Sequence, residues 1–163
     1  MTEPITTWFL EMTSPDQLRA ARPVEGFEVR ALATPDPALS RRLYDRVGAR
    51  WQWTDRLGWG IARWGAHLGQ PGVSTAVGYL EGEEVGYAEL VREGDVVEIA
   101  SFGLLPGYEG RGLGGALLAA VTQAAWDDGA ERVWLHTCSL DSSAALPSYE
   151  RRGFRRYDER TGR

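Results

Sequence analysis

The stretch Leu104-Leu105-Pro106-Gly107-Tyr108-Glu109-Gly110-Arg111-Gly112-Leu113-Gly114-Gly115 decides the fold. It joins a predicted strand at residues 96–105 to a helix whose apolar residues recur at helical spacing as far as Ala124. Glycines let the backbone approach a ligand closely, and a helix start offers unpaired N–H groups and the positive end of its dipole. This glycine-rich turn therefore predicts an anion site suited to phosphate, to which Arg111 can add a charge-assisted contact.

Two other nucleotide-binding patterns compete for the same turn. Gly110, Gly112 and Gly115 satisfy G-x-G-x-x-G, the dinucleotide-binding pattern. In that fold the ribose-binding acid ends the next strand, whereas Glu131 precedes it and only 22 residues follow Asp141, too few to complete the fold. The P-loop pattern G-x-x-x-x-G-K-[ST] does not occur in the sequence. Both alternatives are therefore disfavoured.

Outward from the turn, the periodicities predict a single domain over residues 1–163 with an α/β fold, built on a mixed, mainly antiparallel sheet flanked by helices. Residues 1–26 form an irregular extension with a possible edge strand at 7–12, and residues 50–68 form a loop and a short helix. Three further helices are predicted: one at residues 38–47, one from the glycine-rich turn to Gly129, and one at residues 144–152. Strands are predicted at residues 27–33, 74–80, 85–92, 96–105, 132–137 and 154–158.

Composition narrows the class of protein. The net charge of −5 argues against a nucleic-acid binder, and no apolar stretch approaches the roughly 18 residues needed to cross a membrane. The first ten residues lack the basic and apolar regions of a signal peptide, and the single Cys138 excludes an intramolecular disulfide. We expect a cytoplasmic protein that needs no metal.

Two sequence blocks resemble the GCN5-related N-acetyltransferase (GNAT) superfamily. Its pyrophosphate loop reads roughly [QR]-x-x-G-x-[GA] after a strand that ends in hydrophobic-x-Pro, and here Glu109 takes the place of Gln or Arg. Its second block has an Asn, an Ala and then Tyr-Glu-x-x-Gly-Phe, which this chain matches with Asp141, Ala144 and the run from Tyr149 to Phe154. Asp141 replaces the usual Asn, and about one extra residue precedes Tyr149. The resemblance covers roughly residues 74–157.

The resemblance implies that acetyl-coenzyme A (acetyl-CoA) binds in a cleft where the sheet opens. Backbone amides of the loop would hold the pyrophosphate, the exposed strand end would pair with the pantetheine arm, and Gly103 would mark the bulge that opens the strand. The cofactor-binding residues implied are Phe102, Gly103, Leu104, Glu109, Gly110, Arg111, Gly112, Leu113, Gly114, Gly115, Asp141 and Ala144.

A base is needed because the acceptor amine is protonated in water and must lose a proton before it attacks the thioester. Glu98 stands in the otherwise apolar run Val96 to Ala100, where burial would raise its pKa towards neutrality. Family members with a glutamate base carry it eleven residues before the loop's first position, which is the separation of Glu98 from Glu109. His136 is a second candidate base and His67 a weaker one.

The resemblance assigns the general acid to Tyr149, which would protonate the leaving sulfur, and an acyl-enzyme on Cys138 is a minor alternative. Trp51 and Trp53, with His136, are candidates for binding the acceptor, since aromatic faces hold cations. Core packing is an equally natural use for these rings. The predicted activity is direct transfer of acetyl from acetyl-CoA to a primary amine in a ternary complex. The alternative is a non-catalytic acetyl-CoA sensor. The sequence identifies neither the acceptor nor the oligomeric state.

Overall fold

The computed structural model describes residues 3–162, and a seven-stranded sheet forms its centre. The sheet order is β2-β3-β4-β5-β6-β1-β7, with β5 and β6 parallel and every other neighbouring pair antiparallel. The expected mixed, mainly antiparallel α/β fold is confirmed. The strands are β1 Ile5–Met12, β2 Phe27–Ala31, β3 Val73–Leu80, β4 Glu83–Glu93, β5 Val96–Leu104, β6 Arg132–Cys138 and β7 Arg155–Gly162.

Helices cover the two faces of the sheet unequally. On the back face, α3 and α4 pack on a core that includes Leu10, Leu117 and Phe154. On the front face, α1 and α2 cover β3, β4 and part of β5 through a second core that includes Leu43 and Trp64. The helices are α1 Pro37–Gly48, α2 Ile61–Leu68, α3 Leu113–Asp127 and α4 Ala145–Arg151. None of the helices within residues 3–162 has the length and apolar content required to span a membrane.

The N-terminal strand lies inside the sheet, so the prediction of an edge strand at residues 7–12 was wrong. β1 is hydrogen-bonded to β6 on one side and to β7 on the other. Leu10 and Met12 are completely buried against the back-face core, which fixes the face that β1 turns towards the helices. The last strand, β7, forms that edge instead and is exposed along its whole length.

The sheet opens between the parallel strands β5 and β6. They pair only from Val96 to Glu98, opposite Arg132 to Trp134, and then diverge. The register with β4 slips between Ile99 and Ser101, so the irregularity is at residue 100 and not at the predicted Gly103. Gly103 is glycine for another reason, because a Cβ there would stand 2.4 Å from Cγ1 of Val47 on α1.

Candidate active site

A cavity of about 780 Å³ occupies the opening between β5 and β6. Its walls bring together eleven of the predicted catalytic and binding residues, which come from both sequence blocks, from strands β5 and β6 and from the tryptophan-rich loop; the weaker candidates His67 and Cys138 line it as well. The eleven are Trp51, Trp53, Glu98, Phe102, Gly103, Leu104, Glu109, His136, Asp141, Ala144 and Tyr149. The other predicted cofactor residues, from Gly110 to Gly115, follow Glu109 outside the cavity wall.

The glycine-rich turn has the backbone of an anion cradle. Gly107, Gly110 and Gly112 have φ of +93°, +80° and +78°, a left-handed conformation that favours glycine. Gly112 is the N-cap of α3, no side chain caps that end of the helix, and the fully buried Leu113 anchors its first turn. The N–H groups of the first turn of α3 are therefore left for a ligand, and pyrophosphate fits that donor set.

The acidic residue of the loop is neutralised within the protein. Glu109 forms a salt bridge with Arg50, which follows α1, and accepts a hydrogen bond from the N–H of Gly107 at 3.1 Å. The hydrogen bond from Arg50 lowers the pKa of Glu109, so the carboxylate is held in its charged, paired form. The loop thus presents less bare negative charge to a phosphate than its sequence suggests.

Asp141 uses both carboxylate oxygens as acceptors. Its Oδ2 accepts from Thr137 Oγ1 at 2.7 Å and from the N–H of Cys138 at 3.0 Å, while Oδ1 accepts from Trp53 Nε1 at 3.4 Å. An asparagine, the usual family residue, has only one acceptor oxygen and could not satisfy both sides. The departure from the family pattern is therefore explained by a contact with the tryptophan-rich loop.

On the front face of the sheet, Glu98 lies at the boundary between the part that α1 and α2 cover and the part that they leave open. Its neighbours across β4 and β6 are Val91 and Trp134, and its side chain is one-quarter exposed to the cavity. Burial raises its pKa, and the charge of His136, whose Nδ1 is 3.8 Å from Oε2, opposes the rise. The two candidate bases are thus side by side, and the pKa of Glu98 is moved in the direction that a base requires.

Tyr149 on α4 also lines the cavity and is almost fully buried. Its ring packs edge-on against Phe102 and Phe154, with centroid distances of 6.0 and 6.5 Å. Burial raises the pKa of Tyr149 and the negative charge of Asp141 adds to the rise, so the phenol keeps its proton at neutral pH. A protonated donor is what the acid role requires.

Burial also raises the pKa of the Cys138 thiol, which keeps it protonated and disfavours the acyl-enzyme alternative.

Trp51 and Trp53 both line the cavity, and Arg50 lies over the ring of Trp51 at 5.0 Å. Trp53 also packs on Tyr44, with a centroid distance of 5.3 Å, so it combines a core role with a place in the site.

A buried charged group beneath the cavity was missed by the sequence analysis. Glu89 on β4 is 1% exposed and accepts two hydrogen bonds from Arg56, both 2.8 Å long, while Nε2 of His67 is 3.0 Å from its Oε2. The guanidinium of Arg56 lies 5.0–5.6 Å from the ring centroids of three aromatic residues: Tyr44, Trp59 and Trp64. His67 therefore pairs with Glu89, which leaves Glu98 and His136 as the candidates for the base.

The signal that finds Glu89 is the one that found Glu98, an acid within an apolar strand. Burial favours the neutral form of Glu89, but the hydrogen bonds and charges of Arg56 and His67 outweigh it and lower the pKa. Within residues 3–162, no group of three or more His, Cys, Asp or Glu side chains is arranged to hold a metal ion.

Comparison with known proteins identifies the family. The family model described as "Acetyltransferase (GNAT) family" matches residues 31–154, well over half of the chain. The chain belongs to the GNAT family. The matched range runs from the end of β2 to Phe154 and so includes the glycine-rich turn and the second sequence block.

Relatives and solved structures agree with this assignment. An uncharacterized N-acetyltransferase of Mycobacterium tuberculosis is 38% identical over 103 residues, which are 63% of this chain and 65% of the relative, so the match spans less than two thirds of that protein. A GCN5-related N-acetyltransferase from Sphaerobacter thermophilus has a TM-score of 0.73 and 22% identity over 98% of this chain and 51% of that one. An aminoglycoside acetyltransferase from a soil metagenome, solved with sisomicin, has a TM-score of 0.64 and 17% identity over 77% of this chain and 87% of that one.

Proposed function

We propose that this GNAT protein transfers an acetyl group from acetyl-CoA directly to a primary amine in a ternary complex, with Glu98 as the base and Tyr149 as the acid. The observation that supports the proposal is that both groups line the same cavity. The same cavity follows the opening of the sheet towards the glycine-rich turn, so an amine near Glu98 would meet the thioester end of a cofactor held at α3.

The chemistry needs two proton transfers and one bond exchange. Glu98 removes a proton from the acceptor, directly or through water, and the amine nitrogen then attacks the carbonyl carbon of the thioester. Beyond Glu98 the side of β5 that faces β6 has no strand partner among residues 3–162, so its backbone can stabilise the developing oxyanion and pair with the pantetheine arm. When the C–S bond breaks, Tyr149 gives its proton to the departing sulfur, which yields the amide and free CoA.

The charges at the cavity favour a cationic acceptor. Glu98 and Asp55 both line the cavity, whereas the positive charge of Arg56 is already used by Glu89. With a chain net charge of −5, the field around the site attracts rather than repels a protonated amine. A polyamine, an aminoglycoside such as sisomicin, an amino acid and a peptide with a free N-terminus are the acceptors to test.

The experiment has two parts. The protein is titrated calorimetrically with acetyl-CoA, CoA and NAD, and release of the CoA thiol is then measured with each amine of this panel. Acetyl-CoA binding with amine-dependent release of CoA is expected. Acetyl-CoA binding with no turnover on any amine would favour the alternative of a non-catalytic sensor. A protein that does not bind acetyl-CoA would refute the proposal, and a protein that binds NAD instead would favour the dinucleotide-binding alternative.

Replacing Gly112 by valine is expected to weaken acetyl-CoA binding at least about tenfold, because a side chain at φ +78° strains the turn and disturbs the N–H groups that hold phosphate. Isothermal titration calorimetry measures the effect. Gly82→Val is the matched control, since Gly82 has φ +82° in a hairpin turn outside the cavity wall. Equal affinities in both variants would show that the turn does not hold the cofactor.

Replacing Tyr149 by phenylalanine is expected to lower kcat about tenfold and to leave the Kd for acetyl-CoA unchanged. The effect lies below the usual range for acid catalysis because a thiol has a pKa near 8.5 and leaves readily even when unprotonated. Single-turnover measurement of CoA release at neutral pH tests it. A variant with full kcat would remove Tyr149 from the mechanism.

A further inference from the structure

The segment between α1 and α2 is tied to three parts of the site. We call residues 50–56 the strap. Arg50 pairs with Glu109 in the glycine-rich turn, Trp53 donates to Asp141 after β6, and Arg56 binds the buried Glu89 on β4. The strap thus touches both cofactor blocks and the floor beneath the proposed acceptor site.

Trp53 occupies the centre of the strap and reaches across the opening of the sheet. Its Cβ and inner ring atoms lie against Gly48, where an added Cβ would approach them to 2.4–2.6 Å. The far edge of the indole lies 3.8 Å from where a Cβ of Gly103 on β5 would stand, while Nε1 reaches Asp141 beyond β6. One ring therefore spans the two strands whose separation makes the cleft.

The contacts of the strap coincide with the two departures from the family pattern. Glu109 replaces Gln or Arg, and its partner is Arg50. Asp141 replaces Asn, and its second oxygen is occupied by Trp53. Both acidic substitutions are therefore accounted for by residues of the strap, which points to a strap that acts together with the cofactor motifs and does more than connect two helices.

We propose that Trp53, fixed by Asp141, is a positioning residue that holds the thioester end of acetyl-CoA in the cleft and shields it from water. The inference rests on the proposed function. Its first consequence is that CoA and acetyl-CoA bind beneath a fixed indole. Its second consequence is that hydrolysis without an amine, in which water attacks the carbonyl carbon to give acetate and CoA, is suppressed.

The test uses acetyl-CoA as the probe and needs no acceptor. Trp53→Phe keeps an aromatic ring but removes the N–H donor together with one ring of the indole, a loss of volume that the control below shares. We expect the Kd for acetyl-CoA and the rate of amine-independent CoA release each to rise roughly two- to tenfold, the range of one net hydrogen bond. Trp8→Phe is the matched control, because Trp8 Nε1 also donates to a carboxylate, Glu159 at 2.7 Å, outside the cavity.

A double-mutant cycle with Asp141→Asn separates positioning from simple packing. If Trp53 acts through Asp141, the double variant will have the same Kd and hydrolysis rate as the more affected single variant. Fully additive effects, or a Trp53→Phe protein that matches the wild type in both measurements, would overturn the inference while leaving the proposed function intact. A wild-type protein that fails to bind acetyl-CoA would overturn both.

Discussion

Replacing Glu98 by glutamine is expected to lower kcat/KM for acetyl transfer by about 10²–10⁴-fold, the range for loss of a positioned general base. Glutamine keeps the shape of the side chain at the end of the β5–β6 pairing but cannot take a proton. Binding of acetyl-CoA is expected to stay the same, because in the proposed function the cofactor is held at the glycine-rich turn and along β5. Steady-state kinetics on the best amine of the panel, beside calorimetry with acetyl-CoA, measures both quantities.

The pH dependence gives a second test of Glu98. A base must be ionised to act, so activity is lost as the pH falls through its pKa, and burial places that pKa above the ordinary glutamate value. The wild-type profile of kcat/KM should therefore show an acid limb above the usual glutamate range. In Glu98→Gln that limb should disappear along with most of the activity.

Glu83→Gln is a suitable control, because Glu83 is an exposed acid on β4 outside the cavity. His136→Gln distinguishes the two candidate bases that lie 3.8 Å apart. If the glutamate is the base, removing the imidazole raises the pKa of Glu98 further and moves the acid limb upward, since the charge of His136 lowers that pKa. A Glu98→Gln enzyme that keeps its rate and its acid limb, while His136→Gln loses both, would assign the base to the histidine.

Replacing Glu89 by glutamine is expected to destabilise the protein by about 3–5 kcal/mol, because it leaves the guanidinium of Arg56 largely buried without its counter-charge. Whole domains are stable by only about 5–15 kcal/mol, so the variant should unfold at a much lower urea concentration. Equilibrium unfolding in urea, followed by circular dichroism, measures the change. In the wild type, the stabilisation from this pair is complete above about pH 4.3, the ordinary glutamate pKa, and is lost as the pH falls from there through the lowered pKa of Glu89.

Two variants make the Glu89 prediction specific. Glu84→Gln also removes a carboxylate on β4 that accepts two hydrogen bonds from an arginine, here Arg42 of α1. This pair is 46% and 27% exposed, against 14% and 1% for Arg56 and Glu89, so a much smaller change is expected. Replacing Arg56 and Glu89 together by methionine should restore most of the stability, because apolar groups fill the space among the aromatic rings. A Glu89→Gln protein as stable as the Glu84→Gln control would mean that the buried pair contributes no net stability.

The elements that local sequence determines were predicted well, and those that depend on distant partners were not. Alternation and turn residues predicted the β3–β4–β5 run, and apolar spacing with Gly129 predicted α3, because these signals lie within the segments themselves. The position of β1 was missed, since its neighbours β6 and β7 are more than 120 residues away in the chain. An apolar alternation shows that a strand has a buried face but not which strands lie beside it.

The same distinction between local signals and distant partners applies to the residues of the candidate site. Glu98 and the glycine-rich turn were predicted and line or adjoin the cavity, because motif spacing and an acid in an apolar strand are visible in sequence. Arg56 was missed because nothing around it in a glycine-rich and aromatic loop indicates that its partner is Glu89, 33 residues away. Trp53 and Asp141 were each predicted as site residues, but their contact was not, because they are 88 residues apart and meet only once the sheet has formed.

The position of β1 between β6 and β7 has a consequence for how the chain reaches its native state. Residues 5–7 pair with residues 160–162, so the sheet is complete only after two segments that are very far apart in the sequence have come together. Contacts of such high sequence separation carry a large loop-closure cost and are associated with slow folding. During synthesis, β1 is already available when β6 emerges, but the other edge of β1 stays unpaired until β7 has left the ribosome, and an unpaired strand edge is open to aggregation during that interval.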